Sequence, residues 1–356
     1  GTQRIEAEAR RAFPHARVQR WDSDAARHKG SHERILQALE AQAIDILVGT
    51  QMLAKGLDLP AMTVVGVVDA DTEIRALIIT GAGRGLGLAY ARAVGKLGAT
   101  VLLHDVGADT DGTGTEPAIA ENAAARLSIE GITAHPFHTP INTRDDCHTL
   151  VRNCLAVNGR LDAVIHNAGW VGYERIEDFQ DASFDHMMTV TAKAPLWIAQ
   201  AAWPGMREAG YGRIVVTTSC RALYPQYVQK GLASYAAAKM AAVGIMNVLA
   251  DEGAAHGIIV NAVSPVAKTR MWGVEGEPDE LKPEAVAPGV AFLASAACSE
   301  GGWILRAANG QFHATRVVEA EGVDYPRDLR AVHAGTPAAV ATAWDRITVL
   351  AREPRS

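Results

Sequence analysis

The chain has 356 residues, of which 48% are hydrophobic, and a formal net charge of -6. That size allows one large domain or two modest ones, and the mild acidity excludes a global pull toward nucleic acid or anionic membrane. Four cysteines (Cys147, Cys154, Cys220, Cys298) lack C-x-x-C spacing, which argues against a disulfide framework and predicts buried free thiols in a reducing compartment. No apolar run approaches the roughly 20 residues of a membrane helix. The stretch "GTQRIEAEAR" is charged and has no apolar signal core, so a soluble, cytoplasmic protein with no membrane partner is expected.

Residues 1 to 73 read as helix ("QRIEAEARRAF"), strand ("ARVQRW"), helix ("HERILQALEAQ"), strand ("DILVG"), loop ("TQMLAKGLDLP") and strand ("MTVVGVV"). At Ala76 the pattern restarts with a buried strand, "ALIIT", and a helix, "GRGLGLAYARAVGKLG". The strand "TVLLHD", a Gly/Asp/Thr-rich loop and the helix "PAIAENAAARLSIEG" come next. Then follow "LDAVIHNAG" as strand and loop, one long helix over "SFDHMMTVTAKAPLWIAQAAWPGMREAG", and the strand "GRIVVTTS". A second long helix, "ASYAAAKMAAVGIMNVLADEGAAHG", and the strand "IIVNAVSP" complete the pattern. Strands separated by helices predict an α/β fold with a doubly wound, parallel Rossmann-type sheet. After about Arg316 the chain turns polar and reads as an appendage. The expected division is 1–74, 75–316 and 317–356.

A lone G-x-G-x-x-G means little, but "TGAGRGLG" lies between a buried strand and a helix. Glycines at 81, 85 and 87 let the backbone approach a pyrophosphate at a helix N-terminus. Asp105 ends the next strand, 18 residues after Gly87. A carboxylate there accepts hydrogen bonds from both ribose hydroxyls and repels a 2′-phosphate, which favours NAD over NADP; Arg84 pulls mildly the other way. "SYAAAK" places Tyr235 and Lys239 on one helix face. A phenol has a pKa near ~10, and an adjacent ammonium is expected to lower it. Such a tyrosine exchanges a proton with a substrate oxygen while a nicotinamide carries the hydride. Ser219, ending "VVTTS", could hold that oxygen.

Four motifs in order, "TGAGRGLG", "HNAG", a strand-end serine and "YAAAK", make residues 76 to about 316 resemble a short-chain dehydrogenase/reductase. "GRGLGLAYARA", "AAWPGMREAGYGRIVVTTS" and "LKPEAVAPGVAFLAS" most resemble the (3R)-hydroxyacyl-CoA dehydrogenase module of peroxisomal multifunctional enzymes. The resemblance implies Tyr235 as acid/base, Lys239 as its electrostatic partner and ribose ligand, and Ser219 as substrate anchor. It implies NAD as cofactor, held by Gly81, Arg84, Gly85, Leu86, Gly87, Asp105, Asn167, Ala168, Gly169, Tyr235, Lys239 and Val266. It also implies homodimers or homotetramers, and an alcohol, ketone or acyl thioester as substrate. Three departures stand out. Thr191 replaces the asparagine that holds a relay water, "YVQKG" lengthens the segment between Ser219 and Tyr235, and Val266 replaces the glycine after the sixth strand's proline. Met271 and Trp272 in the expected lid, and Tyr224 and Tyr227, are candidates to line an apolar pocket. Lys268 and Arg270 are candidates for the phosphates of an acyl-CoA.

The first 73 residues resemble part of the second, RecA-like lobe of the primosomal replication-restart helicase, through "GTQRIEAEARRAFP", "RVQRWDSD" and "DILVGTQMLAKGLDLPAMTVVGVVDAD". The chain has no G-x-x-x-x-G-K-[ST], so ATP-driven unwinding is not expected. The joint from Glu73 to Ala76 reads as a seam between a helicase fragment and the reductase, as in a fusion. Arg10, Arg11, Arg17, Arg20, Arg27, Lys29 and Lys55 are interspersed with acids, which favours a solvated surface over a DNA-facing patch. His28, His32 and His148 have no metal-ligand spacing and are expected at the surface; no metal site is expected. "TTSCR" is not a nucleophile elbow. Two readings stand beside the active dehydrogenase: a nucleic-acid-binding remnant with an inactive reductase fold, and a reductase fold that binds NAD without turnover.

Overall fold

The computed structural model describes residues 74–273, 276 and 278–319, and outside them residues 6, 9–11, 13–21, 37, 38, 41, 43–49, 333 and 335–344. The loop over residues 50–56 with Lys55, the strand expected over 62–68, His28, His32, Arg27 and Lys29 lie outside the described residues. By internal packing the chain divides into two compact units, Gly1–His313 and Ala314–Ser356.

Near the start, β1 (Val18–Trp21) and β2 (Ile46–Gly49) form a two-stranded parallel sheet, with Val18 opposite Ile46 and Trp21 opposite Gly49. Arg17 fastens its end: Nε and Nη2 donate to the two oxygens of Asp45 at 2.9 and 2.7 Å. That guanidinium holds the Asp45 carboxyl well below the usual carboxylate range. The described residues show this strand pair; a RecA-like lobe is not shown by them, and the loop and last strand expected of it lie outside the described residues. A parallel pair alone cannot cover its own faces, and a motor lobe would need several more strands.

The main sheet has eight strands in the order β10-β9-β8-β7-β6-β3-β4-β5. From β3 (Ala76–Thr80) the chain winds outward through helix α1 (Gly85–Lys96), β4 (Thr100–His104), α2 (Ala118–Ile129) and β5 (Ala134–Phe137). Helix α3 (Arg144–Asn158) then carries it back across to β6 (Ala163–His166), on the other side of β3. From there it proceeds through α4 (Asp181–Met188), α5 (Ala194–Ala209), β7 (Gly212–Thr217), α6 (Ala233–Ala254), β8 (Ile258–Val266), α7 (Ala287–Leu293) and β9 (Ile304–Ala308). Asn309 (φ 49) and Gly310 (φ 76) then turn the chain into the edge strand β10 (Gln311–Thr315). Two consecutive left-handed residues, Asn then Gly, are what a tight hairpin turn demands.

β3, β6 and β7 are buried along their whole length, and their apolar stretches "ALII", "AVI" and "IVV" do not alternate with polar residues. Alternation divides their side chains between two cores. Leu77 and Ile79 pack with Leu88 and Val94 of α1, Leu127 of α2 and Val290 of α7. Ile78 and Val164 pack with Leu150 of α3, Ile198 and Met206 of α5 and Met246 of α6. The long helix expected over 183–210 is interrupted: residues Thr189–Lys193 form a π-helical turn between α4 and α5. β5, α3, β9 and β10 have no counterpart among the expected elements. Helix α6 is long and apolar enough by length and composition to cross a membrane, contrary to the expectation from sequence. Its apolarity has another destination, because Ala238, Ala242, Val243 and Met246 fill the second core. In the second unit, Thr336 caps helix α8 (Pro337–Thr342), its hydroxyl accepting from Ala339 N at 3.2 Å.

Candidate active site

The strand order reverses at β3, whose neighbours are β4 and β6, and a crevice opens there at the carboxyl ends of the strands. Register sets its floor. Thr80 lies opposite both His104 and His166, so Gly81, Asp105 and Asn167 leave the sheet at one level. The crevice is a cleft of about 1110 Å³ running from Asp105, Val106 and Ile141, past Gly81, Arg84, Gly85 and Leu86, to Asn167, Gly169, Tyr235, Lys239 and Trp272.

The glycine loop is shaped for close approach. Gly81 and Gly85 hold φ of 62° and 52°. A Cβ on Gly87 would lie 2.1 Å from the Gly81 carbonyl oxygen, and one on Gly83 would lie 2.5 Å from Ile119 Cγ2. Asp105 braces this loop: Oδ2 accepts from Gly83 N and Oδ1 from Gly107 N, each at 2.8 Å. Both oxygens keep a lone pair for a further donor. Bare backbone at the start of α1, next to a braced carboxylate, fits a dinucleotide. Arg84 and Arg270 converge on the same stretch, their Nη2 atoms donating to the Ala108 carbonyl at 2.9 and 2.8 Å.

Thr80 is the hub under the middle of the cleft. Its hydroxyl accepts from Asn167 N and Ala168 N at 3.1 Å and lies 3.0 Å from His166 Nδ1. His166 Nε2 donates to the Val190 carbonyl of the π turn at 2.9 Å, so Nδ1 is the acceptor and the ring is neutral. Burial, then the nearby Lys239 ammonium, push its pKa down to about 3. Asn167 Nδ2 donates to the Gly81 carbonyl at 2.9 Å. The "HNAG" stretch thus ties the loop after β3 to the π turn.

At the far end, Tyr235, Ser219, Lys239 and Thr191 are all buried. Lys239 Nζ donates to the Thr217 carbonyl at 3.0 Å and lies 5.7 Å from the Tyr235 ring centre. Burial depresses its pKa to about 8. The Tyr235 phenol is raised by burial; Ser219 and then Arg221 pull it partly back. The expected lowering by Lys239 is therefore corrected: burial wins, and Ser219 and Arg221 supply the opposing pull. A Cβ on Gly169 would lie 3.6 Å from both Lys239 Nζ and Thr191 Oγ1, so both groups face one space. The Thr191 hydroxyl donates to Met187 Sδ at 3.7 Å. Val266 does not line the cleft, although its neighbours Pro265 and Ala267 do.

Other candidates are already engaged. Lys268 pairs with Glu280 at 2.7 Å, and one Arg270 nitrogen donates to the Ala108 carbonyl at 2.8 Å. Tyr224 and Tyr227 pack edge to face with Arg306 over both rings, at 4.9 and 5.5 Å. Met271 and Trp272 do line the cleft. His148 is half-buried, not at the surface, and Cys220 is half-buried while the other three thiols are buried. Among the described residues no group of His, Cys, Asp or Glu could hold a metal. Thr80, His166 as a brace, Arg221 and Trp170 escaped the reading from sequence. A threonine ending the strand before the glycine loop was the available signal for the first.

Fold and cleft together define a nucleotide-binding α/β oxidoreductase. Residues 75–279 match the short chain dehydrogenase family, and the chain belongs to it. Members of this family bind nicotinamide cofactors. The chain is 32% identical over 279 residues to a short-chain type dehydrogenase/reductase of Mycobacterium tuberculosis, covering 78% of this chain and 94% of that one. It is 32% identical to the mouse peroxisomal multifunctional enzyme type 2 over 77% of this chain and 36% of that enzyme, so it spans about a third of that relative's length. A crystal structure of a short chain dehydrogenase from Mycobacterium avium superposes with a TM-score of 0.67 at 27% identity, covering 80% of this chain and 98% of that one. A metagenomic short-chain oxidoreductase solved with NADP gives a TM-score of 0.53 at 26% identity, over 63% of this chain and 92% of that one. A separate 74-residue stretch, 21% of this chain, is 53% identical to replication restart protein PriA of Bacillus subtilis, covering 9% of that protein. With peroxisomal enzymes among the relatives, family membership does not carry the cytoplasmic expectation.

Proposed function

We propose that the chain is an NAD-dependent dehydrogenase acting on a secondary alcohol or ketone, with acyl derivatives such as 3-hydroxyacyl thioesters in its range. The observation that supports this best is one continuous cleft with the glycine loop and Asp105 at one end and Tyr235 and Lys239 at the other, Ser219 joining it through its hydrogen bond with Tyr235. When bound, the nicotinamide supplies hydride transfer. Gly81, Gly85, Leu86 and the first turn of α1 would hold the pyrophosphate; Asp105 would take the adenosine ribose. Asn167, Ala168 and Gly169 would border the nicotinamide. Tyr235 holds the proton for the reacting oxygen and Ser219 orients that oxygen. Lys239, with a pKa of about 8, passes protons at near-neutral pH, and Thr191 faces the same space. Loss of Tyr235 as acid/base typically costs on the order of 10²–10⁴-fold in rate. Tyr235→Phe is therefore expected to abolish measurable alcohol oxidation while NADH still binds by fluorescence titration; retained turnover would reject the assignment.

Asp105 is the basis for NAD over NADP, against Arg84 and Arg270 nearby. NADH is expected to bind at least tenfold more tightly than NADPH, an energy of about 1.4 kcal/mol, and Asp105→Ala to narrow that ratio. Equal affinity for the two in the unaltered chain would shift the assignment to the guanidiniums. The expected three segments, 1–74, 75–316 and 317–356, remain our division, with a homodimer or homotetramer as the working assembly.

A further inference from the structure

We propose that Arg221 is a carboxylate-binding specificity residue, so that the preferred substrate is a small hydroxy or keto acid bearing its free carboxylate near the reacting carbon. The proposal rests on the dehydrogenase reading above. Arg221 lies two residues after Ser219, on the single helical turn Cys220–Leu223, and its backbone N–H donates to Ser219 Oγ at 3.2 Å. Its side chain is half-buried where three segments meet. Nη1 donates to Tyr173 Oη at 2.8 Å, from the loop after β6, and Cζ lies 5.9 Å from the Trp272 ring of the lid. Tyr173 in turn donates to Gln229 Oε1 at 2.8 Å, in the lengthened segment before Tyr235.

Among the described residues the Arg221 guanidinium has one hydrogen bond, one aromatic neighbour and no ion pair. Neutral partners use one of its five donors, and a guanidinium matches a carboxylate with two parallel bonds. The cation also acts on Tyr235 itself, as one of the groups drawing down its phenol. Arg221 is not itself among the residues that line the cleft, but Trp272, which is, lies beside its guanidinium and Ser219 beside its backbone, so a substrate anion would meet it at that edge of the cleft. The insertion "YVQKG" then acquires a use: Gln229 fixes Tyr173, and Tyr173 fixes the guanidinium.

The test compares 3-hydroxybutyrate, its methyl ester and 3-hydroxybutyryl-CoA as substrates with NAD, in the full chain and in Arg221→Met and Arg221→Lys. The acid is expected to exceed the methyl ester in kcat/KM. Removing one charge-assisted hydrogen-bonding group should lower the acid-to-ester ratio by roughly ten- to a hundredfold in Arg221→Met, through KM. Arg221→Lys should keep part of it. An ester or thioester preferred over the acid, or a ratio unmoved in Arg221→Met, overturns the proposal. Binding of acetoacetate and methyl acetoacetate to the NADH-loaded chain, followed by NADH fluorescence, supplies a readout free of turnover. Acetoacetate binding that depends on Arg221, without turnover of any substrate, would overturn the dehydrogenase reading and keep the anion site. Turnover of the ester without Arg221-dependent acetoacetate binding would do the reverse.

Discussion

Tyr235 illustrates how one side chain's surroundings set the direction of its chemistry. Burial raises the phenol above its ordinary value, so at neutral pH it is protonated and suited to donate to a nascent alkoxide. Alcohol oxidation needs the deprotonated form. The oxidation rate is expected to climb with pH through the alkaline range while ketone reduction falls, and flat, parallel pH–rate profiles would count against Tyr235. His166 titrates in the other sense. Its folded pKa of about 3 lies below the ordinary ~6.5, so between those values the unfolded chain binds the extra proton. Its contribution to stability is complete above about pH 6.5 and is lost as pH falls toward 3. In His166→Asn the acid limb of a stability-versus-pH curve should flatten by about one proton; an unchanged slope would show that another group governs it. At this scale the glycine, tyrosine and lysine positions were legible because each carries a local spacing rule. The Thr80–His166–Val190 chain was not, since it joins residues that only the parallel register brings together.

Among the elements, β3 depends on an anchor outside itself. Asp162, just before β6, accepts from Arg75 N and Ala76 N at 2.8 and 2.9 Å and from Arg160 Nε at 2.7 Å. Asp162→Ala would leave two backbone donors unsatisfied at the head of the central strand. A loss of about 2–4 kcal/mol in urea unfolding is expected, and a change within error would mean that the strand entry relaxes. The turn of the glycine loop is equally unforgiving. Gly87→Ala should cost about 1–3 kcal/mol and weaken NADH binding, because its new methyl meets the backbone of Gly81. Fully buried strands and the apolar helices α1, α2 and α6 were easy to read, whereas α3, which opens with a capping box at Thr143 but is polar on balance, was not. β5 ("AHPF") is short and carries a proline, and β9 ("ILRAA") places an arginine mid-strand, so neither shows the usual signal. The π turn was invisible for a different reason: its distortion satisfies a tertiary partner, the His166 ring, not a local preference.

At the scale of the whole molecule, the chain joins a reductase to a stretch akin to a replication-restart protein. In the described part of that stretch Arg17 pairs with Asp45 and Arg10 with Glu6. Single-stranded DNA is therefore expected to bind no more tightly than to any acidic protein, whereas affinity falling steeply between two salt concentrations would reveal a phosphate-contacting surface. The alternation of strands and helices made the reductase fold legible from end to end, while the seam showed only as a restart of the pattern. The meeting of Arg84 and Arg270 on one carbonyl has a kinetic corollary. The two bonds join the glycine loop and the segment after β8 to the loop after β4 at the Asp105 end of the trough, so a long guest seated there would have to disturb them to leave, and a short one at the far end would not. Turnover should accordingly be sequential, with the nucleotide first to arrive and last to depart.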